Sequence, residues 1–248
     1  MSLIDTLTRI RSIYSVNIDS GDEYLANSWY IITAVTISTL NHPEDIQQVV
    51  TLIDQDVEDM RCLTTDEKLA LKVKVVAKLR DAILKGFIAG GFPKTINGLQ
   101  QLYNATPDMI RQRLANQPIR KEDTWERVME QRERGQALFD TIYDKHTARV
   151  MNTMATIYPD LAQTAHYHLY GSALSETTIV SAKETSLLVV AGCFAQHLPS
   201  QLRGHSYGAL HNGASQSDLQ HVYETVVALC QYYGTPIPSL PKAIKSKL

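Results

Sequence analysis

Along nearly the whole chain, apolar residues return every three or four positions, and no stretch alternates apolar with polar residues between turn pairs as a half-buried strand would. That period predicts helices over 22–40, 43–60, 65–90, 93–104, 107–116, 121–155, 159–174, 177–196, 199–212 and 215–233. The punctuation agrees. Pro43, Pro107, Pro159 and Pro199 stand where first-turn prolines are tolerated, and Thr64 or Thr65 precedes Glu67 as a cap. Ser215 with Asp218 resembles a capping box, and Gly234 followed by Pro236 stops the last long helix. An all-α fold is expected.

Composition narrows the classes of function. A chain of 248 residues, 44% of them hydrophobic, can bury a sizeable core. A net charge of −2 without a basic block argues against a nucleic-acid partner, and the mixed charges of "RKEDTWERVMEQRERG" (120–135) suit a solvated helix face. The longest apolar run, residues 186–195, falls short of the roughly 20 residues that span a bilayer, and the N-terminus lacks a secretory core. Cys62, Cys193 and Cys230 are isolated from one another, with no Cys-x-x-Cys and no His-Glu-x-x-His, so neither a metal site nor a dithiol redox centre is expected. A soluble protein of a reducing compartment is the natural reading.

A faint internal repeat runs through the chain. "SWYIITAVTISTLNHPEDIQQVV" (28–50) and "ETSLLVVAGCFAQHLPSQLRGHS" (184–206) share an apolar helix, a short break and a proline-started helix. Aligning Pro43 with Pro199 sets Ser28 opposite Glu184 and Val49 opposite His205. The expected organisation is a degenerate first repeat over 1–116, a second unit over 117–240 and a tail over 241–248.

The second unit contains "QLRGHSYGALHNGAS" (201–215), where Gly204 and Gly208 lie one helical turn apart around His205. Each glycine in a helix interior costs about 1 kcal/mol against alanine, so the pair implies either a close helix crossing or room for a ligand. Together with Glu184 ahead of an apolar helix and the closing "DLQHVYETVVALCQYYGTP" (218–236), this segment resembles the carboxymuconolactone decarboxylase family of the alkylhydroperoxidase-D-like superfamily. Where redox-active relatives carry Cys-x-x-Cys, this chain has Leu198, Pro199, Ser200 and Gln201, so thiol peroxidase chemistry has no nucleophile there.

The resemblance implies cofactor-free chemistry on a small carboxylate or lactone, a small-molecule substrate bound by a self-associating helical protein. His205 would deliver the proton, and Glu184 would orient it or share its proton. Arg203 would clamp a carboxylate, Gly208 would line the pocket wall, and His168 would line the pocket. A non-catalytic binding or assembly protein on the same scaffold is the alternative. Because "HLPS" (197–200) is short, the two helices should form a hairpin that leaves Glu184 and His205 roughly 10 Å apart along its axis, so a pocket bridging them is expected.

The chain closes on Ser246-Lys247-Leu248, the tripeptide read by the peroxisomal import receptor. The prolines of "GTPIPSLPKAIK" (234–245) are expected to hold that tail away from the helices.

Overall fold

The computed structural model describes residues 2–16 and 19–240; Ser246, Lys247, Leu248 and the rest of the 241–248 tail lie outside them. Every regular element among the described residues is a helix. The fold is all-α.

Helix α1 (Leu3–Ile13) precedes the first helix expected from periodicity. Ser2 and Asp5 close a capping box around its first turn, and Leu3, Leu7 and Ile10 make its buried stripe. The helix expected over 22–40 is two helices, α2 (Gly21–Ala26) and α3 (Trp29–Thr39). Asn27 breaks it by turning extended, and its side-chain oxygen accepts from the Trp29 N–H at 3.0 Å. All eleven residues of α3 are buried, so it runs through the centre. Pro43 opens a short 3-10 turn into α4 (Ile46–Asp59), and a Thr64–Glu67 capping box starts α5 (Thr65–Lys85).

Short α6 (Phe87–Gly90) leads to α7 (Phe92–Ala105) and to the single turn of α8 (Asp108–Arg111). After an irregular stretch comes α9 (Trp125–Tyr143). The helix expected over 121–155 breaks at Asp144, whose φ is +48°, and resumes as α10 (Thr147–Ile157). The segment expected as one helix over 159–174 is α11 (Pro159–Gln163) followed by a π-helix, Thr164–Leu174. Helices α12 (Ala182–Ala195), α13 (Pro199–His211) and α14 (Gln216–Tyr233) complete the chain.

At the centre, α3 packs on α12, with α5 against α3 and α14 against both. The α3–α4 and α12–α13 junctions are built alike. Asn41 and His197 both take the left-handed backbone, at φ 67° and 55°. The next N–H groups, of His42 and Leu198, reach back to the carbonyls of Ile37 and Cys193 at 3.1 and 3.0 Å. Pro43 and Pro199 then start the following helices. In the same register, 156 residues apart, Ser28 Oγ donates to Glu184 Oε1 at 3.4 Å.

A close helix approach joins α9 to the π-helix. A Cβ on Gly135 would lie 2.4 Å from Gly171 Cα, so only two glycines back to back permit the contact. The proline-rich tail corrects an expectation. Pro238 is buried and Leu240 packs against the core, so the chain folds back through residue 240. An apolar cleft at the α12–α13 turn takes it, because proline rings bury well where no backbone N–H is lost. No helix among the described residues is long and apolar enough to cross a membrane.

Candidate functional site

The inward face of α13 carries Leu202, His205, Ser206, Gly208 and Ala209. Gly208 marks a helix crossing. A Cβ there would meet Ile142 Cγ2 at 2.5 Å, which fixes α13 directly on α9. Gly204 is looser, with only Tyr143 Cε1 at 4.0 Å in front of it. His205 enters the same contact. It is 9% exposed, and its ring centroid lies 6.3 Å from that of Tyr143.

Tyr143 anchors a small cluster. Its hydroxyl lies 3.1 Å from the Tyr170 hydroxyl, and Tyr170 also meets Phe139 edge-on, with ring centroids 4.8 Å apart. Tyr170 comes from the π-helix, a widened turn that is frequent at functional sites. Cys193 of α12 lies near enough to disfavour ionisation of both phenols. Around Tyr143 there are therefore an imidazole, a second phenol and a thiol, contributed by three other elements.

Burial keeps all four groups neutral near pH 7. It pulls the His205 imidazole down to about 4 and pushes the Cys193 thiol up to about 12. It raises Tyr143, and it raises Tyr170 well above the usual phenol range. Among the described residues, no hydrogen bond engages the His205 ring; its partner is the Tyr143 ring. A buried, neutral, uncommitted imidazole is able to accept a proton from a ligand placed beside it.

Glu184 belongs to a different constellation. Its Oε2 accepts from the Ser181 N–H at 3.0 Å and the Ser181 hydroxyl at 2.8 Å, closing the capping box of α12. Its Oε1 accepts from Ser28 and pairs with Lys78 Nζ at 2.5 Å. Lys78 donates in turn to the Leu25 carbonyl at 2.7 Å. One carboxylate thus ties α12 to α5 and to the α2–α3 junction. The expected pairing of Glu184 with His205 is not formed, because both carboxylate oxygens are already committed to nearer cations and donors.

No family model matches the chain, and no solved structure matches it. Two curated proteins do. A protein of Schizosaccharomyces pombe is 31% identical over 205 residues, covering 83% of this chain and 86% of its own length. A protein of Saccharomyces cerevisiae is 29% identical over 259 residues, covering 85% of this chain and 90% of its own length. Both are named peroxisomal protein 2.

The chain belongs to the peroxisomal protein 2 family.

The protein is peroxisomal. The other site residues expected from sequence fall apart in this family member. Arg203 and His168 are both exposed, and His168 lies on the outer side of the π-helix that buries Tyr170. Five of the cavities among the described residues have linings that include neither His205 nor Glu184. One of about 120 Å³ touches Cys193, Leu198, Leu202 and the folded-back Pro238. No three His, Cys, Asp or Glu side chains converge as metal ligands among the described residues.

Sequence reasoning offered Tyr170 of "AHYHLYG" (165–171) as a pocket-lining or packing aromatic, and it missed Tyr143 as a companion of His205. Phe139 and Tyr143, four residues apart on α9, were the available signal. Which of the aromatic residues in that segment turns inward depends on the π-helical register, and it is Tyr170.

Proposed function

We propose that this peroxisomal protein is a cofactor-independent lyase or isomerase of the carboxymuconolactone decarboxylase type, acting on a small carboxylate or lactone through His205. The observation that carries the reading is the buried imidazole without a hydrogen bond, set beside Tyr143 and its partner Tyr170. An anionic substrate entering there restores basicity to His205, because a nearby negative charge favours imidazolium and opposes the desolvation that holds the free site near 4. Substrate and proton then bind together.

In a decarboxylation the bond to the carboxylate breaks and its electron pair passes into the conjugated lactone carbonyl, giving a dienolate and carbon dioxide. The imidazolium proton goes to carbon, and imidazole is regenerated. Tyr143 is suited to donate to the developing enolate oxygen. Glu184 takes a positioning role in this scheme, holding α12 rather than the proton.

The scaffold is read as two degenerate copies, 1–116 and 117–240, a reading supported by the like-built junctions at Asn41–Pro43 and His197–Pro199. Self-association and recognition of Ser246-Lys247-Leu248 by the import receptor belong to the same proposal. A monomer mass by light scattering, or unchanged import after deletion of Leu248 in cells lacking the wild-type chain, would count against them.

A second reading, a non-catalytic binding or assembly protein on this scaffold, is favoured by one observation: both oxygens of Glu184 are held by Ser181, Ser28 and Lys78 rather than by His205. Cells lacking the protein, complemented with wild type or His205→Gln, decide between them. Catalysis requires that the variant accumulate the same small carboxylate or lactone as the deletion while the purified variant melts within a few degrees of wild type. Full restoration of the wild-type metabolite pattern by His205→Gln supports the assembly reading.

A further inference from the structure

Two adjoining cavities, of about 270 and 310 Å³, open between α5, α7 and the irregular stretch after α8. Both are lined by Arg80, Leu99 and Ala115, which makes them two arms of one groove with Arg80 at its waist. Neither arm shares a residue with the His205 cluster. One arm is floored by Ala77, Leu84, Ile119 and Ile179, the other by Val76 and Leu102.

The charges along this groove are unequal in their commitments. Arg120 pairs with Asp81 at 2.7 Å and donates to the Ala173 carbonyl at 3.0 Å. Arg111 pairs with Asp108 and lies over the Tyr103 ring, 4.5 Å from its centroid. Arg80 is exposed and donates one long hydrogen bond, 3.4 Å, to the Ala115 carbonyl. Both acids that meet the groove's arginines are thus already neutralised, and the Arg80 guanidinium keeps most of its five N–H donors for a ligand.

We propose that this groove binds an aliphatic monocarboxylate, with the carboxylate on Arg80 and the hydrocarbon chain laid along an apolar arm. Guanidinium binds carboxylate through two parallel hydrogen bonds, which fixes the head group at the waist. Each arm sits near the lower bound of about 300 Å³ for small-ligand sites, and their end-to-end arrangement suits an elongated ligand over a compact one. The site is independent of the proposed reaction at His205.

Calorimetric titration of the full chain with dodecanoate, and with dodecanol as the uncharged control, tests the assignment. Dodecanoate is expected to bind saturably at one site per chain. Arg80→Gln should weaken dodecanoate at least tenfold while leaving dodecanol within twofold of wild type. Leu99→Trp, which fills the shared middle of the groove, should abolish both, and His205→Gln should change neither. Arg80 is exposed, so its variant keeps the test valid even where Leu99→Trp folds poorly. Absence of saturable dodecanoate binding to the wild type, or equal affinity of wild type and Arg80→Gln, overturns the proposal.

Discussion

Replacing Glu184 by Gln separates the structural role of that carboxylate from a catalytic one. In the folded protein Lys78 and Glu184 are both nearly sealed from solvent, at 6% and 7% exposure, and their ion pair is 2.5 Å long. Removing one partner of a buried pair leaves the other charge unpaired, which destabilises by about 3–5 kcal/mol. The amide still fills the space and still accepts from Ser181, so the capping box is largely retained. Glu184→Ala should lose that box as well and fall by about a further 1 kcal/mol.

In a domain of this size about 1 kcal/mol moves the melting temperature by roughly 2–4 °C, so Glu184→Gln should melt roughly 6–20 °C below wild type. Adding Lys78→Met removes the stranded ammonium and should recover most of the loss, since a buried ion pair is often matched in stability by apolar residues of similar volume. Differential scanning calorimetry of wild type, Glu184→Gln, Lys78→Met and the double variant completes the cycle. A Glu184→Gln protein as stable as wild type refutes the clamp and returns the carboxylate to the list of candidate acids and bases.

Three further outcomes are expected. Gly135→Ala should destabilise by about 1–3 kcal/mol in urea unfolding, although alanine is the better helix former, because its methyl would strike the Gly171 backbone; an unchanged midpoint refutes the tight crossing. His205 is charged below about 6.5 when unfolded but below about 4 when folded, so the unfolded state binds the extra proton between those values. Its contribution is therefore complete above pH 6.5 and lost as pH falls, about 2 kcal/mol by pH 5, and His205→Gln should show that much less acid sensitivity than wild type. Identical pH profiles would refute the burial of the imidazole. Iodoacetamide should label the exposed Cys62 quickly in the native protein, and Cys193 and Cys230 only after unfolding. Fast native labelling of Cys193 contradicts its neutral, buried state.

What the sequence alone determined was local. Helical periodicity, the prolines at 43, 159 and 199, and the capping residues Thr64 and Ser215 act within one or two turns, and each stands at a helix start in the structure. Even α1 was readable in the Ser2–Asp5 pair and the spacing of Leu3, Leu7 and Ile10. The junction shared by Asn41–Pro43 and His197–Pro199 was legible for the same reason, since a left-handed residue before a proline-started helix is a property of a few neighbouring residues.

Tertiary structure decided which groups meet. Glu184 looked like a partner for His205, twenty-one positions away, yet it belongs to Lys78 on α5, because two buried opposite charges cannot remain apart at low dielectric. Tyr170 became a neighbour of Tyr143 through the π-helical register, held by the contact between Gly135 and Gly171. Asn27 ended a helix that periodicity would have continued, by spending its side chain on the Trp29 N–H and the Tyr14 carbonyl. Pro238 is buried although its own sequence reads as a linker, because the cleft that receives it is made by α12 and α13. Such choices depend on surfaces assembled from distant segments, and periodicity carries no information about them.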